Sequence, residues 1–122
     1  MSFRINLFIF LAAAIGMAST SRAADKYRVY FGTYTGKDSK GIYHSELNVK
    51  DGTLSPPKLA VETSSPSFIA FHPNKKFMYA VNESDAMVSA FAIDEKSGDL
   101  KFLNSQPSQG GAPCHLVVDP TG

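Results

Sequence analysis

The chain has 122 residues, with 12 basic and 11 acidic side chains, one Cys and no Trp, enough for one small domain. Its formal charge of +1 and its scattered Lys and Arg residues leave no basic stripe of the kind that binds nucleic acid. A single Cys can close no intrachain disulfide and no thiolate zinc cage, and His44, His72 and His115 lie too far apart for a compact ligand pattern, so no metal site is expected.

Met1–Arg4 carries one positive charge, Ile5–Ala18 is apolar apart from Asn6 and Gly16, and Ser21-Arg22-Ala23 places small residues where a signal peptidase reads. Residues 1–23 are therefore expected to be a secretory signal peptide, with an exported product beginning at Ala24. A membrane anchor is the alternative, but the apolar run is shorter than the roughly 20 residues of a spanning helix, so no stable insertion is expected after cleavage. Removing residues 1–23 takes away Arg4 and Arg22 and no acid. A lone Cys114 in an exported protein is expected to be reduced and buried.

Beyond Ala24, Gly, Pro, Asn, Asp and Ser recur too often for a helical period, and short runs rich in Val, Ile, Phe and Tyr predict an all-β domain over residues 24–122. In chain order the expected strands are Tyr27–Tyr34, Gly41–Val49, Lys58–Glu62, Ser67–Phe71, Phe77–Asn82, Met87–Asp94, Leu100–Asn104 and Cys114–Asp119. Asp51-Gly52, Pro73-Asn74, Ser97-Gly98-Asp99 and Gly110-Gly111 supply the turns.

The chain also repeats itself. Pro66-Ser67-Phe68-Ile69-Ala70-Phe71-His72-Pro73 aligns with Pro113-Cys114-His115-Leu116-Val117-Val118-Asp119-Pro120 at an offset of 47. At an offset of 46, Ile42, Leu47, Gly52 and Leu54 match Val88, Ile93, Gly98 and Leu100, and at 49 Tyr30-Phe31-Gly32 matches Tyr79-Ala80-Val81. A period in the forties carrying four short strands is the pattern of a β-propeller blade. The four antiparallel strands of one unit, innermost first, are Ser67–Phe71, Phe77–Asn82, Met87–Asp94 and Leu100–Asn104. Tyr27–Tyr34 corresponds to the second strand of such a unit, and Cys114–Asp119 to the first strand of a third.

Gly32-Thr33-Tyr34-Thr35, Gly41-Ile42-Tyr43, Pro66-Ser67-Phe68, the run from His72 to Glu83 and the run from Ala112 to Gly122 resemble the lactonase family of seven-bladed propellers, best known for 6-phosphogluconolactonase activity. Seven units of this period need about 330 residues, so the chain is expected to be an N-terminal piece of about two blades and one strand, inactive by itself. The resemblance implies hydrolysis of a sugar lactone, phosphorylated or not, without a required metal or cofactor. The alternative is a non-enzymatic propeller that binds a partner or a cell-surface polymer on its disc face. Export favours an unphosphorylated aldonolactone, since phosphorylated sugars are cytoplasmic metabolites.

Opening a lactone requires a base for the attacking water and stabilisation of the oxyanion. Antiparallel order puts the start of a first strand and the end of a second strand at one rim. His115 and Glu83 share that rim on neighbouring units and are the candidate catalytic residues, whereas His72 falls on the opposite rim as a turn residue. Cys114 and His115 are adjacent on an expected strand and point to opposite faces, so they form no nucleophile and base pair. Gly32–Asp38 has three residues between its glycines and ends in Asp, so it is expected to be a loop between strands and no phosphate cradle. Asn82-Glu83-Ser84 matches the short acceptor pattern for glycosylation.

Overall fold

A computed structural model describes residues 25–122, so the expected signal peptide lies outside the described residues. Seven strands form two antiparallel sheets. The first sheet holds β1 (Lys26–Phe31), β2 (Gly41–Asn48) and β3 (Lys58–Glu62), in that order. The second holds β4 (Ile69–Phe71), β5 (Phe77–Asn82), β6 (Met87–Ile93) and β7 (Leu100–Pro107), again in chain order. This up-and-down order arises because every connection is short enough only for a return stroke.

The turns are built with the same chemistry in both units. In the second sheet, Asp94 Oδ1 accepts from the N–H of Lys96 and of Ser97 at 2.9 and 2.8 Å, and Gly98 takes the left-handed backbone that ends the turn, φ 86°. In the first, Asp51 Oδ1 accepts from the Thr53 N–H at 2.9 Å beside Gly52 at φ 73°. Each β-meander also carries one bulge in its outermost pair, near Ile42 and near Ala90. A bulge there raises local twist where the sheet is widest.

The core forms where the two sheets meet. Ile42 and Ala60 from the first join Met78, Ala80, Phe91 and Leu100 from the second, with Tyr30, Val61, Ile69 and Ile93 packed around them. Period-two alternation selects these residues: Met78 pairs with Phe91 and Ala80 with Ser89 across β5 and β6, so they share one face. Arg28 ties the sheets together. Its Nη1 and Nη2 donate to the backbone carbonyls of Glu95 and Lys96, each at 3.1 Å, while Tyr30 donates to the Gly98 carbonyl at 2.7 Å. A side chain at position 98 would overlap the Arg28 guanidinium, so the turn needs glycine for space as well as for φ.

Three expectations need correction. Cys114–Asp119 forms no strand, because a strand exists by its ladder and no described segment pairs with it; the repeat offset puts the counterpart of Phe77 at position 124, beyond Gly122. For the same reason Cys114 is exposed, where burial was expected. Strand bounds also shift: β1 ends at Phe31 before the loop, and β7 continues to Pro107 because Ser105, Gln106 and Pro107 stay in register with Ser89, Val88 and Met87.

Candidate functional site

At the end of β5, Asn82 is almost wholly buried, and its side-chain amide donates to Thr63 Oγ1 at 2.9 Å and to the Ser64 carbonyl at 2.6 Å. Its Oδ1 accepts from the Ser89 hydroxyl. The amide is therefore fully occupied, and Asn82 cannot serve as a glycosylation acceptor in the folded chain. The network instead pins the connection from β3 to β4 against the end of β5. Ser65, buried and held at φ 38°, completes the junction: its carbonyl accepts from the N–H of Ser67 and of Glu83, and its own N–H donates to Thr35 Oγ1 at 3.1 Å. A non-glycine residue in this region stores strain that only a determined surrounding network holds.

That junction delivers Glu83 to the rim, in the single turn of 3₁₀ helix at Glu83–Asp85. Two hydroxyls donate to Glu83 Oε2: Ser67 from just before β4, and Tyr34, at 3.0 Å, from the loop between β1 and β2. The Tyr34 loop reaches this position because Gly32 lies against the Pro66 carbonyl, where any side chain would collide with the backbone. The Tyr34 hydroxyl is pushed above its ordinary pKa, first by the hydrogen bond to Glu83 and then by the carboxylate charge. It remains a donor through neutral and mildly alkaline pH.

The third unit meets the second at Phe68. His115 packs its ring against Phe68, centroids 4.4 Å apart, next to Ser67 in the chain. No hydrogen bond engages the exposed His115 imidazole among the described residues. The structure thus places His115 and Glu83 at one rim, each against residues that lead into β4. His72 is at the other end of β4, where its Nδ1 accepts from the Asn74 N–H at 3.1 Å and its own N–H donates to the Phe77 carbonyl at 3.0 Å. Gly36-Lys37-Asp38 is a bend between β1 and β2.

Neither Tyr34 nor Ser67 stands out in the linear chain, since the contacts to Glu83 span 49 and 16 residues. The available signal was spatial and indirect: the Gly32–Thr35 loop and Pro66-Ser67 begin or end strands at the same rim. Two larger cavities lie elsewhere. One of about 430 Å³ opens on the first sheet beside Phe31, Tyr43 and Leu54, and one of about 680 Å³ lies between Arg28, His44 and the Glu95–Asp99 turn. Side-chain chemistry, more than concavity, marks the Glu83 rim. Among the described residues, no cluster of three or more His, Cys, Asp or Glu is arranged to hold a metal ion.

Successive antiparallel meanders, here one of three strands and one of four, packed on each other are the architecture of β-propeller blades. The model of the lactonase family, described as a seven-bladed beta-propeller, matches residues 28–122, and the chain belongs to that family. A 6-phosphogluconolactonase of Bacillus subtilis is 43% identical over 96 residues, covering 77% of this chain and 28% of the relative. A crystal structure of a Bacteroides fragilis protein, proposed to be a 6-phosphogluconolactonase, superposes with TM-score 0.73 at 37% identity, covering 79% of this chain and 28% of that one. A periplasmic gluconolactonase of Pseudomonas aeruginosa superposes with TM-score 0.62 at 27% identity, over 66% of this chain and 24% of that one. The chain therefore spans little more than a quarter of the length of the relatives it matches.

Proposed function

We propose that this segment supplies part of the active rim of a lactonase, and that the substrate is a sugar lactone bound against Glu83 and His115. The observation that carries this reading is the convergence of Tyr34 and Ser67 on Glu83 at the rim where His115 packs on Phe68, in a chain of the lactonase family. The His115 imidazole takes a proton from water as the water oxygen bonds to the lactone carbonyl carbon. The tetrahedral oxyanion then collapses, the ring C–O bond breaks, and the imidazolium returns its proton to the departing alkoxide, giving the open hydroxy acid. Glu83, with Oε2 occupied by two donors, presents Oε1 to a sugar hydroxyl and orients the ring. The two named relatives of gluconolactone chemistry support an aldonolactone with or without a 6-phosphate.

Export is part of the same proposal. It rests on the basic, apolar and small-residue succession of residues 1–23, and an intact mass beginning at Ala24 in an exported fraction supports it; retention of residues 1–23 there refutes it. An unphosphorylated aldonolactone suits that compartment.

The test of the site grafts residues 28–122 in place of the matched segment of the Bacillus subtilis relative and follows hydrolysis of gluconolactone and of its 6-phosphate by acid release. His115→Ala and Glu83→Gln are each expected to lower turnover about tenfold or more, since a positioned acid–base group contributes about 10²–10⁴. His72→Ala, on the far rim, is expected to stay within about twofold. Equal activity in all three would remove Glu83 and His115 from the site and favour a partner-binding propeller. A selective loss at His72 would move the active face to the other rim.

A further inference from the structure

We propose that copies of this chain join head to tail, the 114–119 segment of one copy adding to the free edge of β1 in the next as the fourth, innermost strand of that sheet. The contact does not depend on the lactonase reading. β1 stands at the edge of a three-stranded sheet and pairs only with β2 among the described residues. The repeat makes it the counterpart of β5, which has β4 on that side. Cys114–Asp119 has the opposite lack. It contains the counterpart of β4, is held beside the second sheet by the contact of His115 with Phe68, and has no partner strand among the described residues.

The spare strand and the open edge match in register. β4 pairs Ile69 with Ala80, Ala70 with Tyr79 and Phe71 with Met78. The repeat offsets of 47 and 49 carry these pairs onto Leu116 with Phe31, Val117 with Tyr30 and Val118 with Val29. The faces match as well. Val29, Phe31 and Leu54 are the counterparts of Met78, Ala80 and Leu100, which fill the core between the sheets, yet Phe31 and Leu54 are exposed and border the cavity of about 430 Å³. Across that core stand Tyr30 and Ile42, and their counterparts Tyr79 and Val88 lie on the face of the second sheet turned away from it. The first sheet of a second copy therefore repeats, on this outer face, the packing that joins the two sheets within one copy.

A strand added at an edge is held by main-chain hydrogen bonds and selected by its alternate side chains. In the second sheet the N–H of His72 donates to the Phe77 carbonyl and that of Val81 to the Phe68 carbonyl, so Ala70 and Tyr79, midway between, form a hydrogen-bonded pair, while Phe71 and Met78 do not. By the same alternation the Val117 N–H meets the Tyr30 carbonyl of the next copy, and Val118 and Val29 face each other at the closer spacing. With the segment it gains, the seven strands of one copy make two four-stranded units. The contact is heterologous, so each added copy leaves one edge and one segment free until a ring closes.

The test mixes two forms of the full chain, one carrying Val29→Cys and the other Val118→Cys, each with Cys114→Ser, under oxidised glutathione, and identifies the disulfides by peptide mapping. Links between positions 29 and 118 are expected to exceed 29–29 and 118–118 links about tenfold or more, because a disulfide closes only where Cα atoms lie within about 7 Å. Tyr27→Cys in place of Val29→Cys is two residues out of register and is expected to lose that preference. Val117→Pro, added to the Val118→Cys chain, removes the N–H that would meet the Tyr30 carbonyl. Val117 is 84% exposed and unpaired in the single copy, so circular dichroism is expected to stay unchanged while the link between positions 29 and 118 falls about tenfold. No link between copies, like-with-like links as abundant as the mixed one, equal linking through position 27, or linking that survives Val117→Pro would overturn the proposal.

Discussion

Glu83 illustrates how a side chain becomes specific through its neighbours. A carboxylate on a surface turn has many rotamers, and two hydroxyl donors from separate segments reduce them to one with Oε1 free. Tyr34 is 68% exposed, so its hydrogen bond adds little to stability, where a solvent-facing donor exchanges freely with water. Its contribution is to positioning. In the grafted enzyme, Tyr34→Phe is expected to leave the melting temperature within about 2 °C and to raise KM by about threefold to tenfold, with a smaller change in kcat, as one net hydrogen bond of about 1 kcal/mol implies. An unchanged KM would mean that Glu83 needs no help from Tyr34. The phenol's pKa is raised, so this effect should be flat between pH 6 and 8.

Among elements, the joint between the sheets is the one with a built-in pH response. His44 is buried on β2, between Tyr30 and the Asp99 turn, and its folded pKa lies below the ordinary value of 6.5. The unfolded chain therefore binds a proton that the folded chain refuses, and stability falls as pH drops through about 6.5 toward the folded value. The melting temperature should decrease from pH 7.5 to 5.5, and His44→Gln should flatten that slope. The lowered carboxyls of Glu46, Asp51, Asp94 and Asp119 start from ordinary values of 4.5 or 3.8, so their loss of stability falls below this window. A slope equal in the variant and the parent would place the titrating group elsewhere.

At the scale of the molecule, two blades bury one face each against the other and leave their outer faces uncovered. Phe31, Leu54, Phe71, Phe102 and Leu103 all remain well exposed. Stacked repeats gain stability from neighbours, and open sheet edges template pairing with other chains. The 122-residue chain by itself is therefore expected to self-associate, with a broad thermal transition and no lactone turnover. Size-exclusion chromatography with light scattering, together with calorimetry, checks this. A soluble monomer with a cooperative transition and measurable hydrolysis would refute it, and the grafted segment should be monomeric.

What local chemistry could decide was legible in the linear chain. Alternating Val, Ile, Phe and Tyr between Asp-Gly and Ser-Gly-Asp turns marks β2, β3, β5 and β6 closely, because side-chain period and turn residues act over a few positions. The repeat offset assigned those strands to blades, and antiparallel order put Glu83 and His115 at one rim and His72 at the other. Ladder formation was less legible. Polar Ser105-Gln106-Pro107 joins β7 because β6 offers a partner, whereas apolar Leu116-Val117-Val118 has no partner strand among the described residues. The hydrogen bond of Ser67 to Glu83 was decided by the pairing of β4 with β5, and that of Tyr34 to Glu83, with the clamp of Arg28 on Glu95 and Lys96, by the packing of one unit on the next. Those contacts join residues up to 68 positions apart, and no local propensity encodes a distance that depends on how two sheets stack.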